Sequence, residues 1–301
     1  MLSIKKFAAI DIGSNAVRLL ISNIIEEKGK PPVFKKNSLV RVPIRLGADV
    51  FVKKKISKEN TERILDTMLA FKLLMKSHKV VKYKACATSA MRESANGQKI
   101  VEQVLEHSGI SIDVIGGEEE AAIIAATDLD KYIDPNKTYL YVDVGGGSTE
   151  FTVINRGSQV ASRSFKIGTV RLLNDMVKNE SWQELREWIG EHVKEYDKIS
   201  VLGSGGNINK IFKISGKSVG KPLSYFYMTS YYNTLQSYSY EERITELGLN
   251  QDRADVIIPA MRIYLSAMKW SGAKNIYVPK IGLADGIIKS IYYDTVSSNT
   301  Q

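Results

Sequence analysis

Two short runs in this chain combine a carboxylate, glycines and hydroxyls at a spacing suited to handling phosphate. One is Asp143-Val-Gly145-Gly146-Gly147-Ser148-Thr149-Glu150. The other is Asp11-Ile-Gly13-Ser14-Asn15, with Arg18 close behind. Glycines let backbone N–H groups approach a ligand with no side chain in the way. Successive N–H groups in such a turn form an anion-binding nest. A carboxylate beside that nest repels phosphate unless a cation lies between them. Asp143 and Glu150 are therefore candidate ligands for Mg²⁺, which takes carboxylates together with substrate phosphates. Taken alone, D-x-G-G-G-S reads equally well as a glycine-rich hairpin with solvated acids at its ends. It matches neither G-x-x-x-x-G-K-[ST] nor G-x-G-x-x-G, so the two commonest nucleotide loops are excluded here.

Other groups add to this chemistry. Thr88, Ser89 and Arg92 follow a strand-like run; hydroxyls at a helix start suit an anion, and an arginine reaches phosphate bidentately. Plain helix capping explains the two hydroxyls as well. Gly116-Gly117-Glu118-Glu119-Glu120 opens a helical stretch through Ala126. Acids in a first turn complement the helix dipole, and three in a row cannot all point to one place. The histidines, His78, His107 and His192, lie outside every glycine-rich or acidic motif, which argues against a histidine zinc site and a Ser-His-Asp triad. Cys86 has no base identifiable near it in the sequence, so it reads as packing.

These groups need strands and helices to hold them. Tyr139–Val144 is an apolar, β-branched and aromatic run that ends in the glycines, and Glu150–Ile154 alternates as its partner strand. Phe7–Asp11 and Val17–Ile21 repeat the pattern about 130 residues earlier. A repeat at that distance predicts two related halves, each opening strand–turn–strand. A third strand is expected over 33–46, and an amphipathic helix from Lys58 to His78 behind the N-cap Ser57. Lys53–Lys55 reads as a solvated end. A third small-residue turn, Gly203-Ser-Gly-Gly206, joins a strand to a helix. Helices are further expected over 229–246, over 253–270 and from Gly286 to about Asp294, with a frayed tail from Thr295. The element order is α/β.

The bulk numbers set limits. The 301 residues suffice for two domains. With 44% hydrophobic and 25% charged residues the chain is globular. The net charge of +9 suits an anionic partner such as nucleic acid, a nucleotide or polyphosphate. A single cysteine excludes an internal disulfide and fits a reducing cytoplasm. No apolar run reaches the ~18 residues of a membrane span. The expected location is cytoplasmic.

The ordered motifs resemble the exopolyphosphatase/guanosine pentaphosphate phosphohydrolase family, within the sugar-kinase, Hsp70 and actin superfamily. They are Asp11-Ile-Gly-Ser-Asn15 with Arg18, Ala87-Thr-Ser-Ala-Met-Arg92 with Asn96-Gly97, Gly117-Glu-Glu-Glu-Ala121, Asp143 to Glu150, Gly168-Thr-Val-Arg171, Gly203-Ser-Gly-Gly206, Arg253-Ala-Asp255 and Gly282-Leu-Ala-Asp-Gly286. The resemblance implies two ribonuclease-H-like domains with an interdomain cleft. It implies Mg²⁺-dependent hydrolysis of the terminal phosphate of polyphosphate. Glu120 would be the catalytic base, with Asp143 and Glu150 as metal ligands. Ser14, Asn15, Arg18, Arg92, Gly145, Gly146, Gly147 and Ser148 would bind phosphate. The expected domains are residues 1–124 and 125–301, with a C-terminal helix at about 284–297 packing back on the first. Expected partners are inorganic polyphosphate or guanosine pentaphosphate, with no membrane, no nucleic acid and a homodimer allowed. Alternatives are hydrolysis of the 5′-γ-phosphate of guanosine pentaphosphate by the same residues, a nucleotide-dependent kinase or ATPase of the superfamily, and a non-catalytic sensor of phosphate chains or nucleotides. Two departures stand out. Ala16 occupies a position where the family usually has Ser. By the resemblance, a chain of about 300 residues is expected to be the short form, lacking the C-terminal helical domains that help longer members bind long chains.

Overall fold

The same strand–turn–strand unit opens two separate sheets. The structure is a computed structural model and describes residues 2–125, 127 and 134–298. The chain divides into two compact units, Met1–Thr127 with Leu283–Gln301, and Asp128–Gly282.

In the first unit, β1 (Leu2–Ile12) and β2 (Val17–Glu27) form an antiparallel hairpin, and β3 (Val33–Val42) extends it. Helix α1 (Leu46–Lys53) follows, where the sequence had suggested the strand would continue to 46. The strand stops because Arg45 takes a left-handed conformation (φ 63°) and starts the helix. Lys54 is left-handed as well (φ 58°) and ends it, so the lysine run is a helix terminus with exposed side chains. Helix α2 (Lys58–Ser77) begins where the Ser57 hydroxyl accepts the Asn60 N–H at 3.2 Å. Then come β4 (Lys82–Ala87), α3 (Ser89–Glu93), α4 (Gly97–Ser108), β5 (Ile112–Val114) and α5 (Gly117–Ala125). Strands β4 and β5 are parallel to β1, giving the order β3-β2-β1-β4-β5. The parallel additions need helical crossovers, which α2 and α4 supply. Ala126, the last residue of the helical stretch read from the sequence, lies outside the described residues.

The second unit repeats the scheme. Strands β6 (Thr138–Val144), β7 (Thr149–Asn155) and β8 (Ser158–Phe165) form an antiparallel meander. Helices α6 (Thr169–Leu173) and α7 (Asn179–Val193) lead to β9 (Ile199–Ser204), which pairs parallel to β6. Helix α8 (Gly206–Ile214) follows, then β10 (Leu223–Ser224), α9 (Tyr225–Ser237) and α10 (Tyr240–Thr245). The single helix expected over 229–246 is broken at Tyr238, because Ser239 and Glu242 build a capping box that starts α10. Helices α11 (Gln251–Ala254) and α12 (Ile257–Ser271) likewise divide the helix expected over 253–270, and β11 (Asn275–Tyr277) closes the order β10-β11-β9-β6-β7-β8. One face of this sheet carries Leu140, Val142, Phe151 and Val153 into a core shared with Trp188 and Tyr264. Phe151 stands edge-on to Phe165 at 5.7 Å.

The final helix, α13 (Leu283–Ser298), belongs to the first unit, within a residue of the 284–297 expected for a helix packing back on it, and runs on past Thr295, the start of the expected frayed tail. Lys36 pairs with its Asp285 at 2.8 Å, and its Tyr292 hydroxyl donates to Glu26 at 3.0 Å. Gly286 lets α13 approach α5 closely: a β-carbon there would stand 2.2 Å from the Ile123 carbonyl oxygen.

That contact yields a paired prediction. Gly286→Ala forces backbone apart and should destabilise by about 1–3 kcal/mol, with faster amide exchange in α13. Gly190 lies inside α7 with nothing near its missing side chain. Gly190→Ala should stabilise by about 0.5–1 kcal/mol. Denaturant midpoints and residue-level hydrogen exchange check both; equal effects would contradict the packing account.

Candidate active site

The central motif of the second unit is a hairpin whose turn is held from one side. The Gly145 N–H closes the turn onto the Ser148 carbonyl at 3.0 Å. The carbonyls of Gly145 and Gly146 accept the Thr169 and Val170 N–H groups at 3.0 and 2.9 Å. The Gly147 carbonyl accepts Nε of the buried Arg171 at 2.7 Å. In a trans peptide the C=O and the next N–H point opposite ways. With three carbonyls turned toward α6, the N–H groups of Gly146, Gly147 and Ser148 are turned away from it. That is the geometry of an anion nest. Gly168 permits the close approach, because a β-carbon there would fall 2.4 Å from the Gly146 oxygen.

The carboxylates sit at the strand ends beside this turn. Asp143 and Glu150 are directly opposite in the β6–β7 register. Glu150 is 2% exposed, and its Oε1 accepts the hydroxyls of Ser148 at 2.7 Å and Ser164 at 2.8 Å. Hydroxyl donors favour the ionised form of a buried carboxylate. Like charges directly opposite are destabilising, so the pair suits a divalent cation. Among the described residues no cluster of three or more His, Cys, Asp or Glu side chains is poised to hold a metal. A cation here would draw its remaining ligands from substrate or water, as Mg²⁺ does. The β9–α8 turn backs this pair. A β-carbon on Gly205 (φ 116°) would lie 2.8 Å from the Val144 oxygen and 3.4 Å from Asp143 Oδ1. Ser204 fixes the turn: its carbonyl accepts the Tyr264 hydroxyl, and its own hydroxyl donates to the Ile281 carbonyl at 2.8 Å. Burial, then the charge of Asp143, raises the Tyr141 and Tyr264 phenols well above their ordinary range. Both stay neutral.

The first unit holds the sister hairpin. The Gly13 N–H closes onto the Ala16 carbonyl at 3.1 Å, and Asp11 faces Arg18 in register. Here too the turn is held by its carbonyls. Gly47 N–H donates to Ser14 at 2.7 Å and Arg45 N–H to Asn15 at 3.1 Å, so the Asn15 and Ala16 N–H groups face the opposite side. Ala16 is buried, and its backbone supplies the turn. The Ser14 and Ser89 hydroxyls are 3.0 Å apart and buried. Ser89 is therefore more than a helix start, and Thr88 makes no side-chain cap bond.

The arginines are held by protein groups. Arg18 Nη1 pairs with Asp11 at 2.6 Å, and Arg92 Nη1 donates to the Ile115 carbonyl at 2.5 Å. Arg92 itself is exposed, which leaves its guanidinium accessible. Of the three glutamates in the first turn of α5, Glu118 and Glu119 are exposed and Glu120 is half-buried. Burial pushes the Cys86 thiol up to about 12, which keeps it protonated and inert.

Ser14, Asn15, Arg18 and Arg92 thus lie in the first unit, with Glu120, and Asp143, Gly145, Gly146, Gly147, Ser148 and Glu150 lie in the second. Sequence reasoning passed over Ser164, Arg171, Ser204 and Tyr264. Arg171 had a visible signal, its place in Gly168-Thr-Val-Arg171. Ser164 had none, because only β7–β8 pairing brings it to Glu150.

Two ribonuclease-H-like α/β units, each with a glycine hairpin at the head of its sheet, define the class of protein. Residues 26–294 match the Ppx/GppA phosphatase family, and the chain belongs to that family. A bifunctional 3-dehydroquinate synthase/phosphatase of Fusobacterium nucleatum is 32% identical over 211 residues, which cover 65% of this chain and 31% of that longer protein. The chain thus spans about a third of that relative's length. Exopolyphosphatase 1 of Mycobacterium tuberculosis is 21% identical over 94% of this chain and 87% of its own. The crystal structure of the Aquifex aeolicus Ppx/GppA family member superposes with a TM-score of 0.76 at 25% identity, covering 97% of this chain and 99% of that one.

The clamp on the glycine turn is directly testable. Gly168→Ala should shift the amide resonances of Gly146, Gly147 and Ser148 strongly and leave those of the first unit in place. Unchanged turn resonances would show that the close approach does not hold the turn.

Proposed function

We propose that this protein is an exopolyphosphatase that uses Mg²⁺ to hydrolyse the terminal phosphate of inorganic polyphosphate. The observation that carries the proposal is the match to a phosphatase family over residues 26–294. The N–H groups of Gly146, Gly147 and Ser148, turned away from α6 beside Asp143 and Glu150, support it.

Phosphoryl transfer asks mainly for positioning and charge neutralisation. Glu120 orients the attacking water and takes its proton on a carboxylate oxygen. The water oxygen bonds to the terminal phosphorus, the bridging P–O bond breaks, and the chain leaves one phosphate shorter. The N–H groups of Gly146, Gly147 and Ser148 stabilise negative charge on phosphoryl oxygens, and Arg92 does so from the other unit. Arg18, already paired with Asp11, presents a guanidinium held in one orientation. Ser14 and Asn15 supply a hydroxyl and an amide for the phosphate chain. Asp143 and Glu150 would hold Mg²⁺, which when bound neutralises charge on the transferred group. A second activity, removal of the 5′-γ-phosphate of guanosine pentaphosphate, uses the same residues; the family's double name favours it next.

The test is phosphate release with Mg²⁺ from long polyphosphate, triphosphate and guanosine pentaphosphate in parallel. Polyphosphate should be hydrolysed, and Glu120→Gln should lower turnover by about 10²–10⁴-fold without changing the fold. Release from the pentaphosphate alone would make the second activity the correct one. Full activity in the variant would move the base to another residue.

A further inference from the structure

Residues 198–240 contain five lysines, Lys198, Lys210, Lys213, Lys217 and Lys221, and no Asp or Glu. The structure places four of these in sequence along and beyond α8. Its first turn follows Gly205, which stands behind Asp143 and Val144. At 1.5 Å per residue, Lys210 lies about 6 Å and Lys213 about 10 Å along the helix from Gly206. Lys217 and Lys221 lie in the turn that follows, joined by the Lys221 N–H to the Ser218 carbonyl and by Lys217 Nζ to the Pro222 carbonyl, at 3.1 and 2.7 Å. Lys213, Lys217 and Lys221 are exposed. Like charges are crowded at the near end of the row. Burial, then Arg253, then Lys213 holds the Lys210 amine below its ordinary pKa.

Single lysines here have local uses. Lys213 lies in the last turn of α8, where a cation complements the dipole, and Lys210 Nζ reaches the Gly248 carbonyl at 3.2 Å. Neither use requires the absence of acids across 198–240. A row of one sign raises local potential and concentrates counter-ions of opposite charge. The row begins about 6 Å along α8 from the turn behind the carboxylate pair and leads away from it.

We propose that the lysine row from α8 to Lys221 is a subsite for the distal part of a long polyanionic chain whose end occupies the glycine turn. It rests on the polyphosphate activity proposed above and names the substrate class as long chains. A triphosphate ends before it reaches Lys213. Binding through the row releases counter-ions, so its contribution weakens as salt rises.

The experiment compares binding of long-chain polyphosphate and of triphosphate across a salt series. It uses the full chain, Lys213→Gln/Lys217→Gln/Lys221→Gln, and a charge-matched control, Lys58→Gln/Lys72→Gln/Lys76→Gln, on exposed positions of α2. The first variant should lose about tenfold or more in affinity for the long chain, and its salt slope should fall by about 2. Triphosphate binding should not change, and the control should match the wild type. An equal loss for both ligands, no loss, or an equal loss in the control overturns the subsite. Wild-type turnover is recorded alongside. Absent polyphosphate turnover with the chain-length-specific loss intact would sink the hydrolase activity and leave the row standing. Absence of long-chain binding by the wild type sinks the row.

Discussion

Much of the second unit depends on one backbone constraint. The carbonyls of Gly145, Gly146 and Gly147 are held by the first turn of α6 and by Arg171. Peptide planarity then leaves no choice about the other edge of the turn: its N–H groups face away. Without that hold, three consecutive glycines would be the most mobile part of the chain, because glycine has the most conformational freedom to lose. Burying Arg171 against the Gly147 carbonyl offsets part of that entropy with a charge-assisted hydrogen bond. The nest is a product of what lies behind it.

The two hairpins show one scaffold turned to two electrostatic ends. Both close with a glycine N–H onto the carbonyl three residues on, and both put an Asp opposite the residue seven positions later. In the first unit that residue is Arg18, so the Asp11 carboxylate meets a cation built into the chain. In the second it is Glu150, and two carboxylates meet across the strands. The same backbone thus carries a self-neutralised pair in one unit and a pair suited to an added cation in the other. Both turns are also buttressed by backbone donors from outside the hairpin, the loop at Arg45–Gly47 in the first unit and α6 in the second. Arg45 adopts a left-handed conformation to do this, a strain that non-glycine residues carry mainly where surrounding structure fixes them. Arg63 holds that loop through the Pro43 and Ile44 carbonyls.

Buried polar groups near the carboxylates are arranged as supports. Ser148 and Ser164 converge on one oxygen of Glu150. Tyr264 and the Ile281 carbonyl grip Ser204 from two sides, which steadies the turn behind Asp143. A buried acid without such donors would tend to protonate. The Tyr264 phenol remains a neutral donor because burial and the nearby Asp143 both oppose its ionisation. Among the described residues, no helix is long and apolar enough to cross a membrane.

The sequence by itself determined the α/β class, the repeated strand–turn–strand unit and the residues at the two glycine turns. Those features are local: apolar runs of strand length, a carboxylate at the strand end and glycines at fixed offsets. It also carried the ordered motifs that mark the family. It did not determine where the helices over 225–271 would break: after Tyr238 the Ser239–Glu242 capping box overrides the hydrophobic pattern, and at Asp255 the helix breaks with no side-chain cap on α12. Only the tertiary structure decided that Arg18 would face Asp11 while Glu150 faces Asp143, since that follows from strand register. It alone brought Ser164 to Glu150, Ser89 to Ser14 and Tyr264 to Ser204, across 14, 75 and 60 residues of chain. Such contacts leave no periodic trace in a sequence, because they are set by which strands pair and which helix packs behind them.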